Sequence, residues 1–183
     1  LRYDRDIGLW AHGELRGGRL AYHAGVSNGA GANRRNDNID MLALARMDAL
    51  EIAPRARQPL FVFFPTISTH TPFTPAPPYQ PDWSRILTPA PYDDEELARA
   101  WAQEPDWFNL GPSYAQALDY VYGSLGGYLR LRADRDFVMV LIGDHQPPAM
   151  VSGEEATWDV PVHVVTNRSQ VLDRLLQRGF WEG

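Results

Sequence analysis

The sequence predicts an α/β fold: a mainly parallel sheet flanked by helices, preceded by a β-hairpin-like segment. Three observations point there. Residues 60–65 and 137–142 are continuous apolar runs with β-branched and aromatic side chains, the pattern of strands buried on both faces. Between them, residues 112–133 repeat apolar side chains at helical spacing. Residues 1–53 differ in style and alternate apolar and polar positions around Gly-rich turns.

The elements follow in order. Ile7, Leu9 and Ala11 alternate with Gly8, Trp10 and His12, which suits a strand. Arg16-Gly17-Gly18-Arg19 is a turn signal, after which Leu20, Tyr22 and Ala24 alternate again. Residues 27–38 are rich in Gly and Asn and read as a long loop, exposed and mobile over 28–38, with few apolar side chains to offset the entropy of ordering. Residues 40–50 suit either a strand or a short helix, with Met41, Leu42, Leu44, Ala45 and Met47 fitting the helical period slightly better. Residues 66–91 hold Pro72, Pro75, Pro77, Pro78 and Pro81, which leave no room for a helix. Asp93-Asp94-Glu95-Glu96 places acids at the positive end of a helix whose buried stripe is Leu97, Ala100 and Trp101.

The helix over 112–133 carries Tyr114, Leu118, Val121, Leu125 and Tyr128 on one face. Gly123, Gly126 and Gly127 weaken it by roughly 1 kcal/mol each, and are read as permitting close packing on a sheet. Residues 160–165 are a further strand. Residues 169–179 form a closing helix stopped by Gly179. Trp83, Trp101 and Trp107 are read as packing anchors, and His163 as a partly buried structural histidine.

Composition narrows the function. The chain has 183 residues and a net charge of −6. That balance argues against a nucleic-acid partner, which a basic field would mark. There is no cysteine, which excludes disulfides, thiolate metal sites and a cysteine nucleophile. No stretch approaches the ~18 consecutive apolar residues of a membrane helix. A start at Leu1 suggests an excerpt or processed piece, with any targeting or anchoring segment upstream.

Five histidines are present, and two follow the predicted buried strands. His70 lies in Thr66-Ile67-Ser68-Thr69-His70-Thr71-Pro72, and His145 in Gly143-Asp144-His145-Gln146-Pro147. Open α/β sheets gather ligands beyond the carboxyl ends of their strands. Asp144 and His145 are both good donors for a divalent metal, and the chain can turn after Gly143 so that both converge on one ion. A capped turn with a hydrogen-bonded histidine is the competing reading. His12 and His23 sit on the hairpins and read as structural or exposed. Arg34-Arg35 reads as a solvated loop pair.

Two stretches resemble known families. Gly8…His12-Gly13, Gly17-Gly18-Arg19 and Gly25-Val26-Ser27-Asn28-Gly29-Ala30-Gly31, with Asn33, Asn36, Asn38 and Asp40, resemble a segment of phosphate-selective outer-membrane porins. Two hairpins cannot close a barrel of at least about eight strands, so a local hairpin with a polar loop is the other reading. Residues 59–180 resemble the C-terminal part of the catalytic domain of the alkaline phosphatase and sulfatase superfamily. The motifs are Phe61-Val62-Phe63-Phe64 leading to Ser68-Thr69-His70-Thr71-Pro72-Phe73, then Val138-Met139-Val140-Leu141-Ile142-Gly143-Asp144-His145-Gln146-Pro147, then Asp159-Val160-Pro161-Val162. The likeness is greatest to the sulfatase-type enzymes that include phosphoglycerol transferases and lipoteichoic acid synthases.

The resemblance implies a partial alkaline phosphatase-like fold over residues 57–183, after a porin-like or linker segment over residues 1–56. It implies a metal-dependent hydrolase or transferase of phosphate or sulfate esters. Asp144 and His145 would ligate a divalent ion (zinc, manganese, magnesium or calcium), and His70 would contact the phosphate or sulfate group. It also implies an extracytoplasmic or membrane-associated parent, with a membrane anchor upstream. The family's nucleophile and a further acidic ligand have no counterpart in residues 1–56, and Thr66, Ser68, Thr69 and Thr71 do not occupy the nucleophile position. A catalytically silent interaction domain and a porin-related anion-binding segment are therefore the alternatives. The enzyme reading expects residues 61–64 and 137–142 side by side in one sheet. It expects Asp144 and His145 to reach a common point at about 2.0–2.2 Å from an ion, with His70 facing it from a few ångströms further off.

Overall fold

The computed structural model describes residues 8–15, 20–27, 40–54 and 59–181, with the first two segments described by backbone and pairing alone. The expectation of a mobile loop over 28–38, the Arg16–Arg19 turn and the Arg34-Arg35 pair lie outside the described residues.

β1 (Gly8–Leu15) and β2 (Leu20–Ser27) form the expected antiparallel hairpin, with His12 opposite His23. β3 (Leu60–Val62) adds to β2 in parallel, through Ala21↔Leu60, Tyr22↔Phe61 and His23↔Val62. β4 (Val138–Ile142) and β5 (Val162–Thr166) form a separate antiparallel pair, Ile142 facing Val162 and Val138 facing Thr166. The chain is therefore a mixed α/β structure, but not one built on a mainly parallel sheet.

The two apolar runs lie in different sheets. Among the described residues the one strand paired with β4 is β5, and the connection after β4 sets its direction. A parallel return needs a crossover, usually a full helix. Here the connection holds only the four-residue α4 (Ala149–Ser152). It folds back where Gly143 N–H donates to the Pro161 carbonyl at 3.2 Å, so β5 returns antiparallel. Nor are the runs buried on both faces. Met139 and Leu141 pack on the core, whereas Val138, Val140 and Ile142 are 47%, 57% and 65% exposed. Phe61 and Phe63 are likewise exposed.

Helices carry the core. α1 (Asp40–Met47) resolves the strand-or-helix ambiguity in favour of the helix and runs on into a π-helical turn, Asp48–Ile52. α2 (Asp94–Trp101) starts where Asp93 accepts the Glu95 and Glu96 N–H groups at 3.0 and 3.2 Å, a side-chain cap on two otherwise unpaired amides. α3 (Gly111–Leu131) is the long helix that periodicity predicts. α5 (Ser169–Leu176) stops as expected at Gly179, whose φ of 91° suits glycine. Gly179 N–H donates to Leu176 and Phe180 N–H to Leu175, the paired bonds of a Schellman end. No helix among the described residues is long and apolar enough to cross a membrane.

One apolar cluster joins Met41, Leu44 and Ala45 of α1 to Tyr120, Val121, Leu125 and Tyr128 of α3, with Ile86 from the Pro-rich segment. Phe64, Met139 and Leu141 pack against it. The core therefore runs across residue 56. Trp83 anchors here, its ring 5.9 Å from that of Tyr128. Trp101 is half-buried, but Trp107 is 57% exposed and joins neither buried cluster of the described residues. His163 differs from its expectation too: it is exposed on β5, its ring edge-on to Tyr122 at 6.5 Å.

Asp48 locks the π turn to the end of α3. Its buried carboxylate accepts from Tyr128 Oη at 2.9 Å and Arg132 Nε at 2.8 Å, and pairs with the second guanidinium nitrogen. Arg135 donates to the Ile52 and Ala53 carbonyls that the turn leaves open. Burial pushes the Asp48 carboxyl up, but the Arg132 and Tyr128 bonds and the Arg132 and Arg135 charges outweigh it, and the net shift is downward from 3.8. That stability is present above pH 3.8 and is lost as pH falls through the lower folded value. Asp48→Asn is expected to cost about 2 kcal/mol near neutral pH, less than a fully buried pair because Arg132 is partly hydrated. Urea unfolding across pH should show the gap between variant and wild type shrinking below pH 3.8.

Gly126 and Gly127 of α3 do not line a sheet. A Cβ on Gly127 would sit 2.5 Å from Tyr79 Oη and 2.8 Å from Trp83 Nε1, both on the Pro-rich segment. A Cβ on Gly126 would meet only the flexible end of Arg130, at 3.5 Å. Opposite signs follow. Gly127→Ala is expected to destabilise by about 1–3 kcal/mol through overpacking. Gly126→Ala should stabilise by roughly 0.5–1 kcal/mol through helix propensity. Thermal unfolding of the two variants checks the contrast.

Candidate functional site

The site is built from two loops that dock on the first turns of α3. Leu110, Tyr114 and Ala117 recur at helical spacing there. Phe73, Leu110 and Ala117 form a second buried cluster, against which Tyr114 and Val151 pack. Phe73 stands three residues after His70, and Val151 of α4 stands six after His145. One small cluster thus anchors both histidine loops, although their strands belong to different sheets.

The His70 loop is a pair of linked turns. His70 N–H donates to the Ile67 carbonyl at 3.0 Å, and Phe73 N–H to the His70 carbonyl at 2.9 Å. Phe73 closes the second turn at φ 69°, a region a bulky side chain rarely adopts, at a cost of about 1–3 kcal/mol. Burial of its ring, T-shaped on Tyr114 at 5.0 Å, offsets that strain. The His70 ring is exposed, and its Nδ1–H donates to the Thr71 carbonyl at 2.9 Å. In the neutral ring this leaves the Nε2 lone pair free.

At the front of the loop stands Asp40, the first residue of α1. Its carboxylate accepts from Ile67 N–H and Ser68 N–H, both at 3.1 Å, and from Ser68 Oγ–H at 2.6 Å. Burial pushes its carboxyl up, and the bonds from Ser68 and Ile67 only partly offset this. In the sequence, Asp40 stands at a segment boundary and Ser68 among the loop hydroxyls, and neither carries a local mark of a site role. The available signal was a lone acid opening an apolar period, which reads equally as a helix start.

The second loop follows β4. Gly143 passes close to Val160 and Pro161: a Cβ there would lie 3.3 Å from the Val160 Cβ. Gln146 Nε2 donates to the Asp159 carbonyl. The Gly143–Pro147 and Asp159–Val162 motifs, distant in sequence, are thereby tied together. Asp144 Oδ1 accepts His145 N–H at 3.0 Å, and Asp144 Oδ2 lies 3.6 Å from His145 Nε2. His145 Nδ1–H donates to the Gln146 carbonyl at 2.7 Å, which leaves Nε2 unprotonated in the neutral ring.

That pair suits two corners of one ion. Donors about 2.1 Å from a tetrahedral centre stand roughly 3.4 Å apart, close to the separation seen. A ligating histidine that gives its other N–H to a carbonyl is the usual supporting arrangement. Both side chains are largely open to solvent. His70 does not join them as a third donor, and among the described residues no group of three or more His, Asp or Glu is placed to hold a metal ion. The chain matches no family model, no curated protein and no solved structure.

Proposed function

We propose that the chain carries part of the site of a metal-dependent hydrolase or transferase acting on phosphate or sulfate esters. The carrying observation is the Asp144–His145 pair, with donor atoms 3.6 Å apart and the histidine tautomer set by Gln146. The docking of the His70 loop on the same cluster as α4 supports it. Asp144 Oδ2 and His145 Nε2 would hold a divalent ion, and His70 would meet the ester group through Nε2. When bound, such an ion offsets the negative charge that builds on the ester oxygens. The nucleophile and the remaining ligands come from residues other than those described, and the parent is extracytoplasmic or membrane-associated.

A second reading, a domain that keeps the fold without activity, rests on residues 1–56 offering no counterpart to the nucleophile of the family that residues 59–180 resemble.

The test uses the full-length parent protein with p-nitrophenyl phosphate and p-nitrophenyl sulfate, with and without added divalent metal. Asp144→Ala is expected to abolish metal-dependent cleavage while the fold stays intact. His70→Ala should lower kcat by about 100- to 1,000-fold, the usual loss when a transition-state donor is removed. Undiminished turnover in either variant excludes the assigned role. No metal-dependent turnover in the wild type with either ester supports the silent domain.

A further inference from the structure

We propose that Asp40 is a positioning residue for His70: its carboxylate grips the 67–68 backbone so that the following turn presents the histidine with Nδ1 committed to Thr71 and Nε2 free. What Nε2 then addresses rests on the ester reading above; the positioning itself does not.

Three observations carry this. First, among the described residues the donors that Asp40 receives come from Ile67 and Ser68, two or three residues before His70, and none comes from its own helix. The first amide after it, Met41 N–H, is taken by Tyr120 Oη at 3.2 Å, so the Asp40 carboxylate is not what caps that amide. Second, Asp40 and Ser68 are 5% and 3% exposed, and among the described residues the hydrogen-bond donors to the carboxylate are all neutral. A buried carboxylate is costly without a cation. The neighbouring buried carboxylate, Asp48, has its arginine and serves the α1–α3 lock. Third, the hydrogen bonds run without a gap from Asp40 to the site: Asp40 to 67–68, Ile67 to His70, His70 to Phe73, and the His70 ring to Thr71. The loop is thus held at its front by a carboxylate and at its back by a buried phenyl ring.

The experiment reads the His70 ring directly. Proton–nitrogen correlation spectra of the imidazoles, recorded without substrate or metal, distinguish the two neutral tautomers. In the wild type the Nδ1–H form of His70 is expected to predominate. In Asp40→Asn, where an NH2 group replaces one acceptor, the Nδ1–H to Nε2–H ratio should fall about tenfold, the worth of roughly one lost hydrogen bond. Asp48→Asn is the control: it weakens the fold but should leave the His70 ratio unchanged. Should Asp40→Asn not fold, Ser68→Ala removes one donor, keeps the charge and should move the same signal in the same direction. An unchanged His70 ratio in Asp40→Asn, or in Ser68→Ala when that variant takes its place, overturns the proposal. So does an equal change in Asp48→Asn. A moved ratio in a protein whose His70→Ala variant retains full ester turnover upholds the positioning and rejects the ester reading.

Discussion

The structure depends on the burial of one helix. α3 presents Ala117, Tyr120, Val121, Ser124, Leu125 and Tyr128 inward along its length. Its middle and C-terminal turns hold α1, β4 and the Pro-rich segment, and its first turns hold both histidine loops. The two-stranded β4–β5 sheet supplies no such platform. A two-stranded pair is marginal by itself in water, and a three-stranded sheet needs an apolar face or a helix to pack on. Met139 and Leu141 make that contact for β4, and Phe64 makes it just beyond β3.

Two buried carboxylates show how the same residue type is put to opposite ends. Asp48 is paired with Arg132 and sits below its ordinary carboxyl value despite burial. Asp40 is served by neutral donors, and burial carries it above. The first is a clasp between α1 and α3. The second fastens a loop that ends in an exposed histidine with a free ring nitrogen. The Asp144–His145 loop is set in the same manner, by backbone carbonyls and a glutamine, with no large core of its own.

Much of this was legible in the residues, and the failures have identifiable physics. Periodicity located α3, and a run of acids at the positive end located α2, because helical spacing and end effects are local. Gly179 was legible as a stop for the same reason. Residues 138–142 read correctly as a strand, but continuous apolarity reports burial and is silent on direction and partner. It therefore suggested a parallel neighbour in 60–65, where the short connection through Gly143 and Pro161 returns an antiparallel β5 instead. Full burial failed too, since Val140, Ile142 and Phe63 face outward. His70, Asp144 and His145 were singled out by their place after strands, and the structure gathers their loops by a route the sequence does not advertise: Phe73 and Val151 reaching one cluster. Asp40 was missed because its partners lie 27 and 28 residues away, a separation no local pattern encodes.

The central claim is that one apolar cluster brings the two histidine loops to the same end of α3. Methyl- and ring-selective nuclear Overhauser spectra of the chain test it most directly. Cross-peaks are expected from the Val151 methyls and from the Phe73 ring to the same side chains at the start of α3, those of Leu110 just before it and of Tyr114 and Ala117. Cross-peaks from Phe73 alone, with Val151 showing none to α3, would separate the loops and contradict a shared site.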